Sequence, residues 1–584
     1  MNRRPLIFLV LQLIFGAPRE FVSADQSGPA AGEPDYVEVA RSEQEPALER
    51  SDRDFLPHAG KRVRRIRVTN LEVCGPSVDD TTRSAQSRIE RFLNHVNFET
   101  RETTIRRSLL FEEGDTIDPF RLAESERILR NLTFVGDARI VVGQAPGSGD
   151  SADVQVIVKE AWTLELSVSP KEPNGLKVGL AEQNLFGLGH QVSVAGRLVP
   201  DATPRLGWDT NYAMQNIHGS FVTGKLEYVK MPGRESAGLT LSRELISPVL
   251  RYAGGLDLRR TSIAEPDSLP SAADNRFELV DFWAGRLIHE WHDREETGRR
   301  RILFASYRVR RLKFTDRPPV TPSTLYPYHN MDHLLGSLTY IRSWYYRTNL
   351  LYNFGRTEDI PHGLLARVTY GVAHEEFTWS HYAAATVAAG EKIGGLGYGV
   401  GELRIGGYPK GWEIEQGVFR LRSLYFSNLL HAGRYRFRQF LRAGYTTGLH
   451  RFADDSIDFG GDEGIRGVVY DRSVTGSKRL QLDVESVAFT PWRVRGITFA
   501  LFAFADLDVI GSGRRSVFEQ DYYSGLGLGV RLHKEGFGIG TVQLRFAWYP
   551  KLPIDHAAFS YAAFADERFR SIPLLGGSPE IVEY

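Results

Sequence analysis

The sequence predicts a transmembrane β-barrel of about 16 antiparallel strands, preceded by one small α+β domain. Three observations carry this expectation. From Trp162 onward, apolar and polar residues alternate with a period of two, in segments of roughly ten residues separated by polar, Gly- and Pro-bearing turns. The N-terminus reads as an export signal. Beyond it, no stretch approaches the ~20 apolar residues of a membrane-spanning helix, so an exported chain of this kind is either soluble or crosses the membrane with strands.

In the export signal, Arg3 and Arg4 form the charged start, Leu6 to Phe15 the apolar run, and Val22-Ser23-Ala24 a small-x-small cleavage site. Residues 1–24 are therefore expected to be a signal peptide, with Arg19 and Glu20 unusually charged for the stretch before cleavage. Residues 25–60 are rich in Ser, Pro, Gly, Ala and Glu without an apolar period, which predicts a disordered linker.

Residues 61–160 predict the small domain. Arg62 to Val68 alternates as a strand. Thr103 to Phe111 places Ile105, Leu109 and Leu110 at helical spacing, and Gly114-Asp115 breaks the run. Asp118 then caps a second helix with Pro119 in its first turn and Leu122, Ile128, Leu129 and Leu132 facing inward. Strands at Ala138 to Val142 and Asp153 to Glu160 complete a β-α-α-β-β order.

Composition narrows the function classes. Lys+Arg and Asp+Glu are both 72 among 584 residues, interspersed rather than in blocks, which gives no basic surface for nucleic acid. Cys74 is the single cysteine, so no internal disulfide can form and stability must come from a core or from a closed sheet in lipid.

Residues 162–584 predict the barrel, with about 16 to 19 alternating segments. A lipid-facing side chain must be apolar, whereas an inward one can be polar. In the segment from Thr541 to Tyr549 the outward set is Val542, Leu544, Phe546 and Trp548, and the inward set includes Gln543 and Arg545. The same parity turns Arg420, Arg422, Arg436, Arg438, Arg479 and Arg531 inward. A soluble β-sandwich or β-helix would bury its apolar face against a second layer, and rarely sustains this alternation over such a length.

The run Phe459-Gly460-Gly461-Asp462-Glu463-Gly464-Ile465-Arg466-Gly467 carries the candidate site. Its glycines permit a compact fold. Arg466 is its one cation, and a guanidinium in a low-dielectric lumen needs a carboxylate. The two following strands offer Asp483 and Glu485, and Asp506 and Asp508, at inward parity. The alternative is a surface hairpin with an exposed arginine. An inward loop over 459–477 is the reading favoured by its place after many strands and before the acid-bearing ones.

Three stretches resemble the POTRA–barrel outer-membrane superfamily, the bacterial surface-antigen group. Thr103 to Asp115 followed by Glu124 to Arg130 resembles the POTRA helix pair, with Val156 to Glu160 like its last strand. Glu182-Gln183-Asn184-Leu185-Phe186-Gly187-Leu188-Gly189 is similar to the early barrel turn, and Ile465-Arg466-Gly467 to the inward loop with its central Arg-Gly. The resemblance implies a 16-stranded barrel with a weak seam between first and last strands. It also implies that Arg466 pairs with Glu485 and Asp506 on the inner wall, steadying the loop that holds Gly464, Ile465 and Gly467. Val468 stands where the family carries an aromatic, and Asp508 where it carries glycine.

The implied function is insertion, assembly or translocation of proteins at the outer membrane of a Gram-negative-type bacterium, through an openable seam. Expected partners are outer-membrane lipids, unfolded or partly folded client proteins, and a periplasmic or inner-membrane partner at the POTRA-like domain. No nucleic acid, cofactor, metal or catalytic residue is expected. His289-Glu290-Trp291-His292 has the wrong spacing for a His-Glu-x-x-His zinc site, and the sequence has neither a phosphate loop nor a Gly-x-Ser-x-Gly elbow. A passive channel or structural surface antigen is the alternative, and a barrel-type hydrolase the second.

Overall fold

The computed structural model describes residues 49–584 apart from residue 86 and the stretches 145–148, 172–174, 200–204, 265–273, 293–299, 353–355, 453–454, 461–463, 469–470, 495–496, 514–515, 535–541, 554–558 and 565–571. The signal peptide expected at 1–24 and residues 25–48 of the linker expected at 25–60 lie outside the described residues.

The end of the expected linker is ordered, a correction to the sequence reading. Glu49–Arg50 pairs with Arg347 and Tyr346, and a 3-10 turn at Arg53–His58 buries Phe55. A single buried aromatic in a polar stretch has no periodicity to reveal it.

The small domain follows. Strand β1 (Arg62–Leu71) leads to helices α1 (Arg88–Val96), α2 (Glu102–Arg106) and α3 (Pro119–Arg130), then to strands β2 (Val135–Gln144) and β3 (Ser151–Glu160). Strand β3 is central, parallel to β1 and antiparallel to β2. The core holds Val63, Ile66, Ile105, Leu122, Leu129, Ile140, Val154, Val156 and Val158. Helix α1 starts at a capping box, with Ser87 accepting from the Glu90 N–H and Glu90 reaching back to Ser87. It is additional to the two helices expected. Its Ile89, Phe92, Leu93 and Val96 sit at helical spacing, and Ile89, Phe92 and Val96 are exposed. Helix α2 is shorter than the spacing suggested: Ser108 Oγ bonds back to the Thr104 carbonyl, and Leu109 and Phe111 enter the core from non-helical backbone.

Among the described residues, the long strands from Leu164 onward and the stubs Glu49–Arg50 and Leu430–Ala432 form a 22-stranded sheet. From Leu164–Lys171 to Phe559–Phe564 each long strand pairs antiparallel with the next, and the sheet order sets Phe559–Phe564 beside Leu164–Lys171. Even without the stubs, the strands outnumber the expected 16. Several hairpins turn on two residues, Pro232-Gly233, Glu376-Phe377 and Gly411-Trp412, so two strands read as one alternating run.

The burial pattern is inverted relative to a soluble sheet. On Glu358–Glu375, Val368 is 63 % exposed while the adjacent Thr369 is 1 % exposed. Leu334, Leu338, Val387 and Trp548 are likewise exposed, and Thr339, Ser343, Thr386 and Gln543 buried. The polar set faces an inner side where distant strands meet. There Arg438 donates to the carbonyls of Leu350 (3.0 Å) and Ser427 (2.9 Å). This is the alternation that a surrounding apolar solvent requires.

The small domain docks at the turns on one rim of this sheet. Nearly all of α3 is buried, charges included. Arg130 joins Asp359 at 2.6 Å and Glu126 at 2.5 Å; Arg127 pairs with Glu124 at 2.8 Å and lies 4.2 Å over the Tyr345 ring.

Candidate functional site

The site is built on two adjacent strands, Lys478–Val494 and Ile497–Gly511. Their register sets Asp483 opposite Asp506 and Gln481 opposite Asp508. Period-two alternation turns Asp483, Glu485, Asp506 and Asp508 to the inner side, where all four are buried. Four carboxylates so close would repel without cations, and four arginines meet them.

Arg466 reaches this wall from the loop between Tyr435–Leu449 and Lys478–Val494, and it is 1 % exposed. Its Nη2 donates to Asp506 Oδ1 at 2.7 Å and its Nε to both Asp506 oxygens at 3.0 Å. Its Nη1 donates to Glu485 Oε2 at 2.5 Å, and its backbone N–H to Asp506 Oδ2 at 3.0 Å. The Phe504 ring lies 4.0 Å below the guanidinium, adding a cation–π contact. On the far side Tyr549 Oη donates to the Arg466 carbonyl at 2.7 Å. The planar fork thus serves two acids at once, a geometry that a lysine ammonium does not match.

The remaining acids have their own cations. Arg531 donates to Glu485 Oε1 at 2.7 Å, Arg479 joins Asp508 at 2.6 Å, and Arg442 joins Asp483 at 2.5 Å. Asp508, the residue at odds with the resembled pattern, therefore extends an acid–arginine ladder along the wall. Parity pointed to Arg479 and Arg531 but not to Arg442; the pairings depend on register, which a single sequence does not fix.

The loop's other residues are shaped to this contact. Ile465 and Val468 are buried, and Phe459 packs against Tyr523 with ring centroids 4.6 Å apart and the planes tilted by 51°. Gly464 crosses the Gly460 backbone so closely that a Cβ would sit 2.7 Å from it. Gly467 has φ +84°, and a Cβ there would sit 2.4 Å from Tyr549 Oη.

A second junction joins the small domain to the first hairpin. Asn184 is fully buried; its Nδ2 donates to Thr100 Oγ1 at 2.9 Å and its Oδ1 accepts from the Gly189 N–H at 2.8 Å. The Gly187 carbonyl accepts from the Arg101 N–H at 3.0 Å and from Thr104 Oγ1 at 3.1 Å. Glu160 accepts from the Thr100 N–H at 2.9 Å and from its hydroxyl at 2.8 Å. Burial pushes the Glu160 carboxyl up to about 7 despite these donors. Asp137, beside Thr357 of the rim, is pushed up to about 6, again by burial.

His289, Glu290 and Trp291 fall within Asn275–His292, where Glu290 pairs with Arg300. Among the described residues no group of three or more His, Cys, Asp or Glu side chains is placed to hold a metal ion.

No family model matches the chain. One curated relative, the outer membrane protein assembly factor BamA of Neorickettsia risticii (strain Illinois), is 28 % identical over 159 residues, covering 26 % of this chain and 21 % of that protein. The chain is similar to the BamA/TamA-like POTRA–barrel family. It spans about a fifth of that BamA-like relative's length. Among solved structures, BamA from Haemophilus ducreyi lacking POTRA domains 1–3 aligns with 86 % of this chain and 83 % of its own, at 10 % identity and a TM-score of 0.32. CdiB from Acinetobacter baumannii aligns with 86 % of this chain and 73 % of its own, at 12 % identity and a TM-score of 0.38. For CdiB from Escherichia coli the shares are 86 % and 77 %, at 12 % identity and a TM-score of 0.41. These TM-scores are too low to establish a shared fold.

Proposed function

We propose that this chain is an outer-membrane protein that inserts, assembles or translocates client proteins. In this reading the large sheet closes as a barrel in the outer-membrane lipid, and residues 61–160 form a POTRA-like domain on its periplasmic rim. Leu164–Lys171 and Phe559–Phe564 meet at a seam, and an incoming client strand pairs with the backbone groups of an opened seam edge. Such templating uses hydrogen bonds and burial, with no catalytic step. The periplasmic face of the small domain would receive clients or a further partner.

The observation that carries the reading is Arg466, buried between Glu485 and Asp506, pinning a loop to the inner wall. A passive channel gains nothing from an arginine committed to two wall acids. A machine whose wall must open and reclose does, because the tie keeps the three strands it touches in one register. The test is complementation of a strain depleted of this chain. Arg466→Ala and Asp506→Ala should fold into the membrane yet fail to restore growth or client assembly. Full restoration by both variants would leave the tie without a role in function.

A further inference from the structure

Residues 572–584 follow the last strand and return along the inner wall. Leu574 is buried beside Gly390 and Tyr398, on the rim that carries the small domain. Val582 lies by Gly406 in a cluster with Tyr382 and Tyr408. Tyr584 sits under Arg451, 4.5 Å from its guanidinium, at the base of the arginine loop. The segment thus runs from the domain rim to the loop rim.

The wall is built to hold it. Arg367 Nη2 donates to the Gly576 carbonyl at 2.7 Å, Ser306 Oγ to the Gly577 carbonyl at 2.5 Å and Arg308 Nη1 to the Pro579 carbonyl at 2.9 Å. Glu580 pairs with Arg404, lies 3.4 Å from Arg367, and accepts from Thr386 Oγ1 at 2.8 Å. Tyr382 Oη accepts from the Val582 N–H at 2.7 Å. The donors come from four different strands, and Arg308 is itself fixed by Asp281 at 2.5 Å. Gly577 packs against Phe304, where a Cβ would sit 2.8 Å from the ring. Three main-chain carbonyl contacts, at Gly576, Gly577 and Pro579, and one carboxylate contact form a recognition set for an extended peptide: the carbonyl contacts are indifferent to side chains, while Glu580 and the Gly576-Gly577 pair give selectivity.

We propose that the wall around Ser306, Arg308, Arg367, Thr386 and Arg404 is a peptide-binding groove and that residues 572–584 are its intramolecular ligand, narrowing the lumen while bound. The groove takes an extended peptide with a small-residue pair and a carboxylate three residues beyond it. This rests on the barrel reading above. It stands apart from client handling, because it is tested by conductance and by peptide block, neither of which involves a client.

The experiment uses the full chain in planar lipid bilayers. Removal of 572–584, or Glu580→Lys, should raise single-channel conductance several-fold. A synthetic 572–584 peptide should reclose the truncated barrel, and a peptide carrying E580K should need at least about tenfold more for the same block. A folded truncated barrel with unchanged conductance, or one indifferent to the peptide, overturns the proposal. If truncation prevents folding, the full-length S578C protein decides. Its thiol should react with a hydrophilic maleimide many-fold more slowly than that of S512C in an exposed loop, and equal rates overturn the proposal.

Discussion

Two segments line the inner wall, and they are held by opposite means. The Phe459–Val468 run is fixed by charge: one buried guanidinium is shared by two buried acids, and a tyrosine closes over its carbonyl. The 572–584 segment is fixed mainly through its carbonyls, which water can satisfy once the segment leaves, with one partly exposed carboxylate as its ionic anchor. A buried charge abandoned by its partner is far more costly than a carbonyl that exchanges a donor for water. The difference teaches that the loop is a permanent part of the wall and that the segment can be released from it.

The largest expected effect is on the loop. Arg466→Ala removes the guanidinium that Glu485 and Asp506 share, and should cost about 3–5 kcal/mol, the range for breaking a buried pair. A lowered unfolding temperature in heat-modifiability gels, together with new protease cleavage in the loop, would register it. Arg466→Lys should recover only part of the loss, because an ammonium cannot serve both acids through a fork. Full recovery would show that charge alone holds the loop.

Gly187→Ala should come next. Gly187 has φ +72°, and an added Cβ would stand 2.1 Å from the Glu99 carbonyl. A loss of about 1–3 kcal/mol is expected, from backbone strain and forced separation. Hydrogen exchange should show it at the small-domain junction while the arginine site stays protected.

The pH response of that junction should be of similar size, because it follows from the raised carboxyl of Glu160. The folded carboxyl is raised from 4.5 to about 7, so the folded state binds more protons between those values. Stability of the junction should therefore be greatest below about 4.5 and fall as pH rises towards 7, and Glu160→Gln should flatten the slope. The smallest effect on thermal stability, under about 1 kcal/mol, is expected for Glu580→Lys, whose site is partly exposed. A loss as large as that of Arg466→Ala would erase the contrast between fixed and releasable segments.

The sequence showed what depends on local period. Alternation around Leu482 to Glu485 and Ala505 to Asp508 gave each acid its face, and the same rule placed Arg438, Arg479 and Arg531. What depends on register was not visible there. The assignment of Arg479 to Asp508 and of Arg442 to Asp483 follows from which residues lie opposite each other across neighbouring strands. Helix α1 was legible in Ile89, Phe92, Leu93 and Val96 at helical spacing after the Ser87 and Glu90 start, a signal that the two-helix reading does not use. The burial of Arg127 and Arg130 follows from docking against Tyr345 and Asp359, which no local period of the helix encodes. The 572–584 stretch has neither helical nor strand period, so its binding is written in the wall rather than in the segment.

The central claim, a client strand received at the seam, is tested most directly by site-specific crosslinking in cells. Leu166 on the first strand and Phe559 on the last are 72 % and 58 % exposed and flank the seam, while Leu338, 55 % exposed, lies mid-sheet. Single cysteines replacing each would be paired with a client carrying its own cysteine and arrested during assembly. Adducts at Leu166→Cys and Phe559→Cys, none at Leu338→Cys, and loss of both when Arg466→Ala is added are the predicted result. Equal adducts at all three positions, or none at the seam from a folded barrel, would contradict it.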